Sequence, residues 1–238
     1  MASVNLQSLG IWEKLGAMSP QEVLKWALGT YKDRIALASS FGAEDVALID
    51  MMVKIDSNPR IFTLDTGRLP QPTYEVIEKI RQKYGVKIET YFPDTRRVEE
   101  MVNSHGPNLF YKSVELRKLC CRIRKIQPLN RALSGLSGWI SGLRKDQGVT
   151  RKRIKKLEID LAHNSILKVN PLADWTLDQV WEYIKDNDVP YNSLHDQNYP
   201  SIGCAPCTRA ITTNENIRAG RWWWETPEQK ECGLHLQK

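Results

Sequence analysis

No run of apolar residues in this 238-residue chain approaches the ~18 that a helix needs to cross a bilayer, so no membrane association is expected. Met1–Leu15 lacks a basic stretch followed by an apolar core, which argues against a secretory leader. Internal repeats and low-complexity tracts are missing, which excludes solenoids and fibrous or disordered classes. Cysteine is scarce, with 5 residues, and the chain is long enough to bury a core without disulfide staples. A cytoplasmic location is the expectation, and there close-set cysteines favour metal binding or catalysis. What is present is an ordinary globular balance of 41% apolar and 26% charged residues. The net charge is +6, from 34 Lys and Arg against 28 Asp and Glu. The basic residues cluster at Arg117–Lys125, at Arg144–Lys156, and at Arg218 and Arg221. Such clusters are either solvated helix faces or a site for an anion. Neighbouring cysteines favour the anion site for the first and last of them.

Ser19-Pro20-Gln21-Glu22 is a capping box with proline at the first helical position and predicts a helix to about Tyr31. Ile35–Ser40 reads as a short buried strand, and Gly42–Ile55 as a helix with Val46, Ile49, Met52 and Val53 on one face. Ile61–Leu64 predicts a second strand, Gln71–Tyr84 a helix, Lys87–Phe92 a third strand and Arg96–His105 a short helix. A helix over Ser113–Gln127 carries the apolar stripe Leu116, Leu119, Ile123 and Ile126. Trp139–Leu143 and Ile166–Val169 read as strands, and Thr176–Gln179 as a second capping box opening a helix. This alternation predicts right-handed βαβ units: an α/β, Rossmann-like fold with a mainly parallel sheet flanked by helices. From Asp188 onward Pro190, Pro200, Pro206 and Pro227, with Gly203 and Gly220, predict an irregular C-terminal tail. The expected organisation is a core over residues 1–200 and, in the same domain, a segment over 201–238.

The cysteines divide four to one. Cys120 and Cys121 are adjacent, Cys204 and Cys207 form a C-x-x-C, and Cys232 stands alone near the end. Neighbouring residues on a helix point about 100° apart, which suits a single tetrahedral zinc poorly. A 4Fe-4S cluster accepts thiolates at separate corners and is the favoured reading. Zinc, and four cysteines acting as small buried apolar residues, are the alternatives. Cys232 lies in Glu231-Cys-Gly-Leu-His235; it is either an inert terminal cysteine or a thiol tuned by His235. A closed metal site with a free nucleophile suggests a redox enzyme.

Two loops suggest where a ligand sits. Ser39–Asp45 links a strand to a helix, and small residues at a helix N-terminus form an anion cradle, though an ordinary turn has the same residues. Leu64-Asp65-Thr66-Gly67 follows the next strand and falls at the same carboxyl edge of the sheet, where open α/β sheets bind ligands.

The stretches SSFGAED at Ser39, LDTG at Leu64, CCRIRK at Cys120 and SGLRKDQ at Ser141 form a longer series. It continues with PLADWT at Pro171, YNSLHDQNYPSIGCAPC at Tyr191 and ECGLH at Glu231. Together they resemble the assimilatory sulfonucleotide reductases, most closely the iron–sulfur branch of the adenylylsulfate (APS) reductases, from about residue 20 onward. The resemblance implies an adenine nucleotide alpha hydrolase-like fold and reduction of APS to sulfite and AMP. It implies thioredoxin or a similar dithiol as donor and one 4Fe-4S cluster per chain on Cys120, Cys121, Cys204 and Cys207. Cys232 becomes the nucleophile that forms an S-sulfocysteine. Ser39, Ser40, Phe41 and Gly42 become the phosphate loop, with Phe41 replacing a glycine of the pyrophosphatase pattern. Leu64, Asp65, Thr66 and Gly67 become a second nucleotide-facing loop. Lys125 links cluster and substrate, Arg144 folds over the nucleotide, Arg218 and Arg221 hold sulfate and phosphate, and His235 lies near them.

Close rivals are a 3′-phosphoadenylylsulfate (PAPS) reductase or a dual APS/PAPS reductase, for which Arg68 is the candidate 3′-phosphate contact. A remote rival is a zinc-bearing nucleic-acid-binding or RNA-modifying protein; the SSFGAED and ECGLH stretches count against it, and no nucleic-acid partner is expected. A homo-oligomer is expected. Trp222-Trp223-Trp224 marks either its contact surface or packing of the tail onto its own core.

Overall fold

The structure, a computed structural model, describes residues 9–148 and 151–226. A helix not anticipated from sequence, α1 (Leu9–Gly16), precedes the predicted one, α2 (Pro20–Tyr31). The Ser19 capping box closes: Ser19 Oγ accepts from the Glu22 N–H at 3.3 Å, and Glu22 Oε2 accepts from the Ser19 N–H at 2.8 Å. Then follow β1 (Ile35–Ala38), α3 (Ala43–Val53), β2 (Ile61–Leu64), α4 (Gln71–Tyr84), β3 (Ile88–Tyr91) and α5 (Thr95–His105). The later elements are α6 (Val114–Cys121), α7 (Gln127–Leu133), β4 (Gly138–Ile140), β5 (Leu157–Asp160), β6 (Ile166–Val169) and α8 (Leu177–Asp186). Among the described residues no helix is long and apolar enough to cross a membrane.

The six strands form one sheet in the order β3-β2-β1-β4-β6-β5, parallel throughout except for β5 against β6. Alternate residues of each strand serve opposite faces. Ile35, Leu37, Ile61, Ile140, Leu167 and Val169 join the larger core with the buried sides of α2, α3 and α8. Ala36, Phe62 and Trp139 face the other way, against Leu129 and Leu133 of α7.

Two departures from the sequence reading have physical causes. Arg151–Lys156, read as solvated helix or anion site, leads into β5, a four-residue strand with no helical or long alternating signature. The β5–β6 turn holds Asn164 and Ser165 at φ 59° and 53°, a left-handed conformation. The helix predicted to stop at Gln127 continues through Pro128. It does so by widening: Arg122–Ile126 is a π-helical turn, with the Gln127 N–H bonding the Arg122 carbonyl. Proline removes a donor and crowds the carbonyl four residues back, and the wider turn accommodates both. π turns occur mostly as single insertions at functional sites, and this one starts right after Cys121.

Candidate active site

The strand order reverses at β1, whose neighbours are β2 and β4. Ligands of open α/β sheets bind at the carboxyl ends of strands at such a switch point. Here a cleft of about 210 Å³ opens between the loop after β1 and the loop after β4, lined by Ser39, Ser40 and Gly42 on one side and Ser141 and Gly142 on the other.

The loop after β1 is held from within. Phe41 adopts φ 57° with its side chain buried, and its N–H reaches Ser39 Oγ at 3.1 Å. Asp45, in the first turn of α3, accepts from the Ser40 N–H at 2.6 Å and from Ser40 Oγ at 2.8 Å. Burial pushes the Asp45 carboxyl up to about 6, against the pull of the Ser40 hydrogen bonds. Gly142 closes against this loop: a Cβ there would lie 2.9 Å from Glu44 Cβ. The native state therefore holds a proton on Asp45 where the unfolded chain, near 3.8, has released it. Ionised Asp45 destabilises the fold above about pH 6, and that penalty fades as pH falls toward 4. Asp45→Asn is expected to be more stable than the parent at pH 7 by up to about 3 kcal/mol, with the gain gone at pH 4. Denaturant melts of both proteins at the two pH values check this; an equal gain at both would show that ionisation is not the cause.

A second, smaller cavity is lined by all four paired cysteines, Cys120, Cys121, Cys204 and Cys207. Residues 84 positions apart in the chain thus line one cavity. Among the described residues no group of three or more His, Cys, Asp or Glu side chains closes on a single ion. The donor set nevertheless fits a thiolate-bound iron–sulfur group. Burial, then the charges of Cys204 and Cys121, push the Cys207 thiol up to about 12, while Arg221 and Lys125 pull it down. Burial also raises Cys120, with Arg124 opposing. Bound soft metal offsets this resistance by replacing the thiol protons. Arg117, Arg124, Lys125 and Arg221 line the same cavity and balance the negative charge such a group carries.

Lys125, Arg221 and Trp222 line both cavities and form the wall between them. Trp222 is buried, with the Arg117 and Arg221 guanidinium carbons 4.8 Å and 4.7 Å from its ring centroid. Arg221 donates to the Ile202 carbonyl at 3.1 Å and lies flat on Gly203, where a Cβ would come within 2.8 Å of Arg221 Nη1. Trp224 packs on Tyr111 at 4.5 Å, and only Trp223 of the three tryptophans is exposed. Of the two readings of the triplet, packing of the chain onto its own core is the one that Trp222 and Trp224 follow.

The remaining predicted residues sort by wall. Ser39, Ser40, Gly42, Leu64, Lys125, Arg218 and Arg221 line the cleft. Phe41, Asp65, Thr66, Gly67 and Arg144 do not. Asp65 accepts from the Gly67 N–H at 2.8 Å, and Gly67 needs its φ of 69°. Thr66 Oγ1 meets Cys204 Sγ at 3.2 Å, and the Thr66 carbonyl accepts from Arg124 at 2.6 Å. Beyond Leu64, residues 65–67 of this loop brace the cysteine cavity instead of facing the cleft. Arg144 is fully buried and paired with Glu44 at 2.9 Å. Arg151, seven residues on, lines the cleft in its place. Arg68, the candidate 3′-phosphate contact, lines the cysteine cavity and donates to the Pro107 carbonyl at 2.7 Å. His195 and Gln147 also line the cleft and were not foreseen; His195 lay in plain view inside the YNSLHDQ stretch. Cys232 and His235 lie outside the described residues.

The sheet order and the loop cradle define a protein of the adenine nucleotide alpha hydrolase-like fold class. The phosphoadenosine phosphosulfate reductase domain model matches residues 34–210. An adenosine 5′-phosphosulfate reductase of Allochromatium vinosum is 54% identical over 87% of this chain and 80% of its own length. One of Burkholderia cepacia is 48% identical over 94% and 87%. The phosphate complex of the phosphoadenylyl-sulfate reductase from Candida auris superposes with a TM-score of 0.73 at 29% identity, over 85% of this chain and 95% of that one. A Candida glabrata FMN adenylyltransferase, at 11% identity and a TM-score of 0.58 over 93% and 75%, shares the fold alone. The chain belongs to the phosphoadenosine phosphosulfate reductase family, among its adenosine 5′-phosphosulfate reductases, and is an oxidoreductase acting on a sulfur group.

Proposed function

We propose that this enzyme reduces adenylylsulfate to sulfite and AMP, with thioredoxin or a similar dithiol as reductant, in cytoplasmic sulfate assimilation. The observation that carries the reading is the shared wall: Lys125 and Arg221 face the switch-point cleft on one side and four thiols on the other. Arg218 and Arg151 extend that positive wall, which suits the two negative charges of the phosphosulfate end. Relatives that share about half of the chain's residues are named for this substrate.

In the proposed chemistry the Cys232 thiolate attacks the sulfate sulfur. An S–S bond forms, the sulfur–oxygen bond to the phosphate breaks, and AMP leaves with the electron pair. A thiolate of the reductant then attacks Cys232 Sγ and expels sulfite. The reductant's second thiol closes a disulfide, so the dithiol is oxidised as sulfate sulfur is reduced. Cys120, Cys121, Cys204 and Cys207 would hold a 4Fe-4S cluster, which when bound supplies a fixed charge behind Lys125. Lys125, Arg218 and Arg221 bind the anion and stabilise charge gathering on the leaving phosphate.

Incubation with APS and no reductant, followed by mass spectrometry, tests the reading. An added sulfite group on Cys232 is the expected product. An adduct on another residue, or none, would overturn the S-sulfocysteine route.

A further inference from the structure

The cleft has three chemically different walls. Cations stand beside the cysteine cavity. Phe62, Leu64, Leu129 and Trp139 make an apolar wall suited to a base. The third wall holds Glu44 and His195; they lie in the SSFGAED and YNSLHDQ stretches, but neither has a role in the proposed chemistry.

Both side chains are fixed with one acceptor left over. Glu44, in the first turn of α3, receives Arg144 Nε and Gln147 Nε2 on its Oε1, each at 2.9 Å. Arg144 is itself fixed, donating to the Trp175 carbonyl at 3.2 Å. Glu44 Oε2 has no hydrogen-bond partner among the described residues. His195 packs edge-on against Trp181 at 5.1 Å. Its Nε2 is shut off from solvent with no partner, and the backbone of Tyr199 favours a proton on the ring. Burial keeps the ring neutral, with the Glu44 charge acting the other way. A neutral imidazole with its proton on Nδ1 presents Nε2 as a bare acceptor.

We infer that Glu44 Oε2 and His195 Nε2 receive the ribose hydroxyls of the nucleotide and make the enzyme reject a 3′-phosphate. The inference rests on the adenylylsulfate reading above. Ribose hydroxyls are donors and satisfy two waiting acceptors. A 3′-phosphate removes one of the two donors and brings only acceptors and negative charge, leaving one protein group unpaired and setting the phosphate beside a carboxylate. An acidic residue at the ribose sorts NAD from NADP by the same physics. Arg68, the candidate counter-cation for such a phosphate, is on the other cavity.

The test is kcat/KM for APS and PAPS in the parent, Glu44→Gln and His195→Phe, with His195→Gln as a second variant should the phenylalanine perturb folding. Calorimetric binding of AMP and of adenosine 3′,5′-bisphosphate runs alongside, with circular dichroism confirming the fold. The parent should prefer APS, and Glu44→Gln should narrow the APS:PAPS ratio at least about 100-fold. His195 variants should narrow it about 10-fold, with the change mainly in KM and the same trend in the two non-reactive ligands. A folded variant series with APS turned over and the ratio unmoved overturns this inference alone. A parent that binds and turns over neither sulfonucleotide overturns it together with the proposed function.

Discussion

Replacing Glu225 by alanine is expected to destabilise the fold by about 3–5 kcal/mol, because it strands a buried guanidinium. Arg117 Nε and Nη2 donate to Glu225 Oε1 and Oε2 at 2.8 Å and 2.7 Å, and both side chains are 1% exposed. Burial opposes the charge on Arg117, but Glu225 outweighs it and Arg117 is held above its usual range. Exposed ion pairs contribute ~1 kcal/mol or less; the burial is what makes this one different. Glu225→Gln keeps the shape and one acceptor and should lose less. Denaturant melts of the two variants separate charge from shape. In a domain this size the alanine variant should melt roughly 10 °C lower. Glu225→Ala within about 1 kcal/mol of the parent would show the pair to be solvated. The effect should reach function as well, since Arg117 stacks on Trp222, and Trp222 carries Arg221 of the cleft.

Lys125→Ala should lower turnover by about 10²–10³-fold, the usual loss when one preorganised charge at a developing anion is removed. Lys125 sits between two negative groups, the thiols whose charge it offsets and the phosphosulfate proposed for the cleft. The four cavity cysteines and the cations Arg117, Arg124 and Arg221 remain in the variant. Iron content should therefore stay near that of the parent while kcat falls. Iron assay and steady-state kinetics on one preparation read both quantities. Parental turnover in Lys125→Ala would remove the proposed link. Loss of iron together with activity would make Lys125 a support of the cysteine site instead.

What could be read along the chain is instructive in its limits. Ile61–Leu64, Gln71–Tyr84 and Ile166–Val169 form where their patterning places them, because period and capping act within one turn or strand. β5 escaped, since four residues carry too little periodicity and its partner β6, not its own composition, makes it a strand. The run through Pro128 escaped because proline normally ends a helix, and only the π turn lets this one continue. Arg144 and Arg151 are chemically alike in one basic loop. One is folded under Glu44 and the other turned into the cleft, a difference of side-chain direction that identity does not encode.

By itself the sequence determined the alternation of strand and helix, the division of cysteines into four and one, and the small-residue loop after β1. Each follows from spacing or from the chemistry of a few adjacent residues. Only the tertiary structure decided which groups share a wall. Cys120 and Cys204 meet, the wall of Lys125, Arg221 and Trp222 separates the cleft from the cysteine cavity, and Glu44 and His195 face one cleft. Those pairings join segments 84 or more positions apart, and they depend on helix register and on packing across the sheet, which no local pattern records.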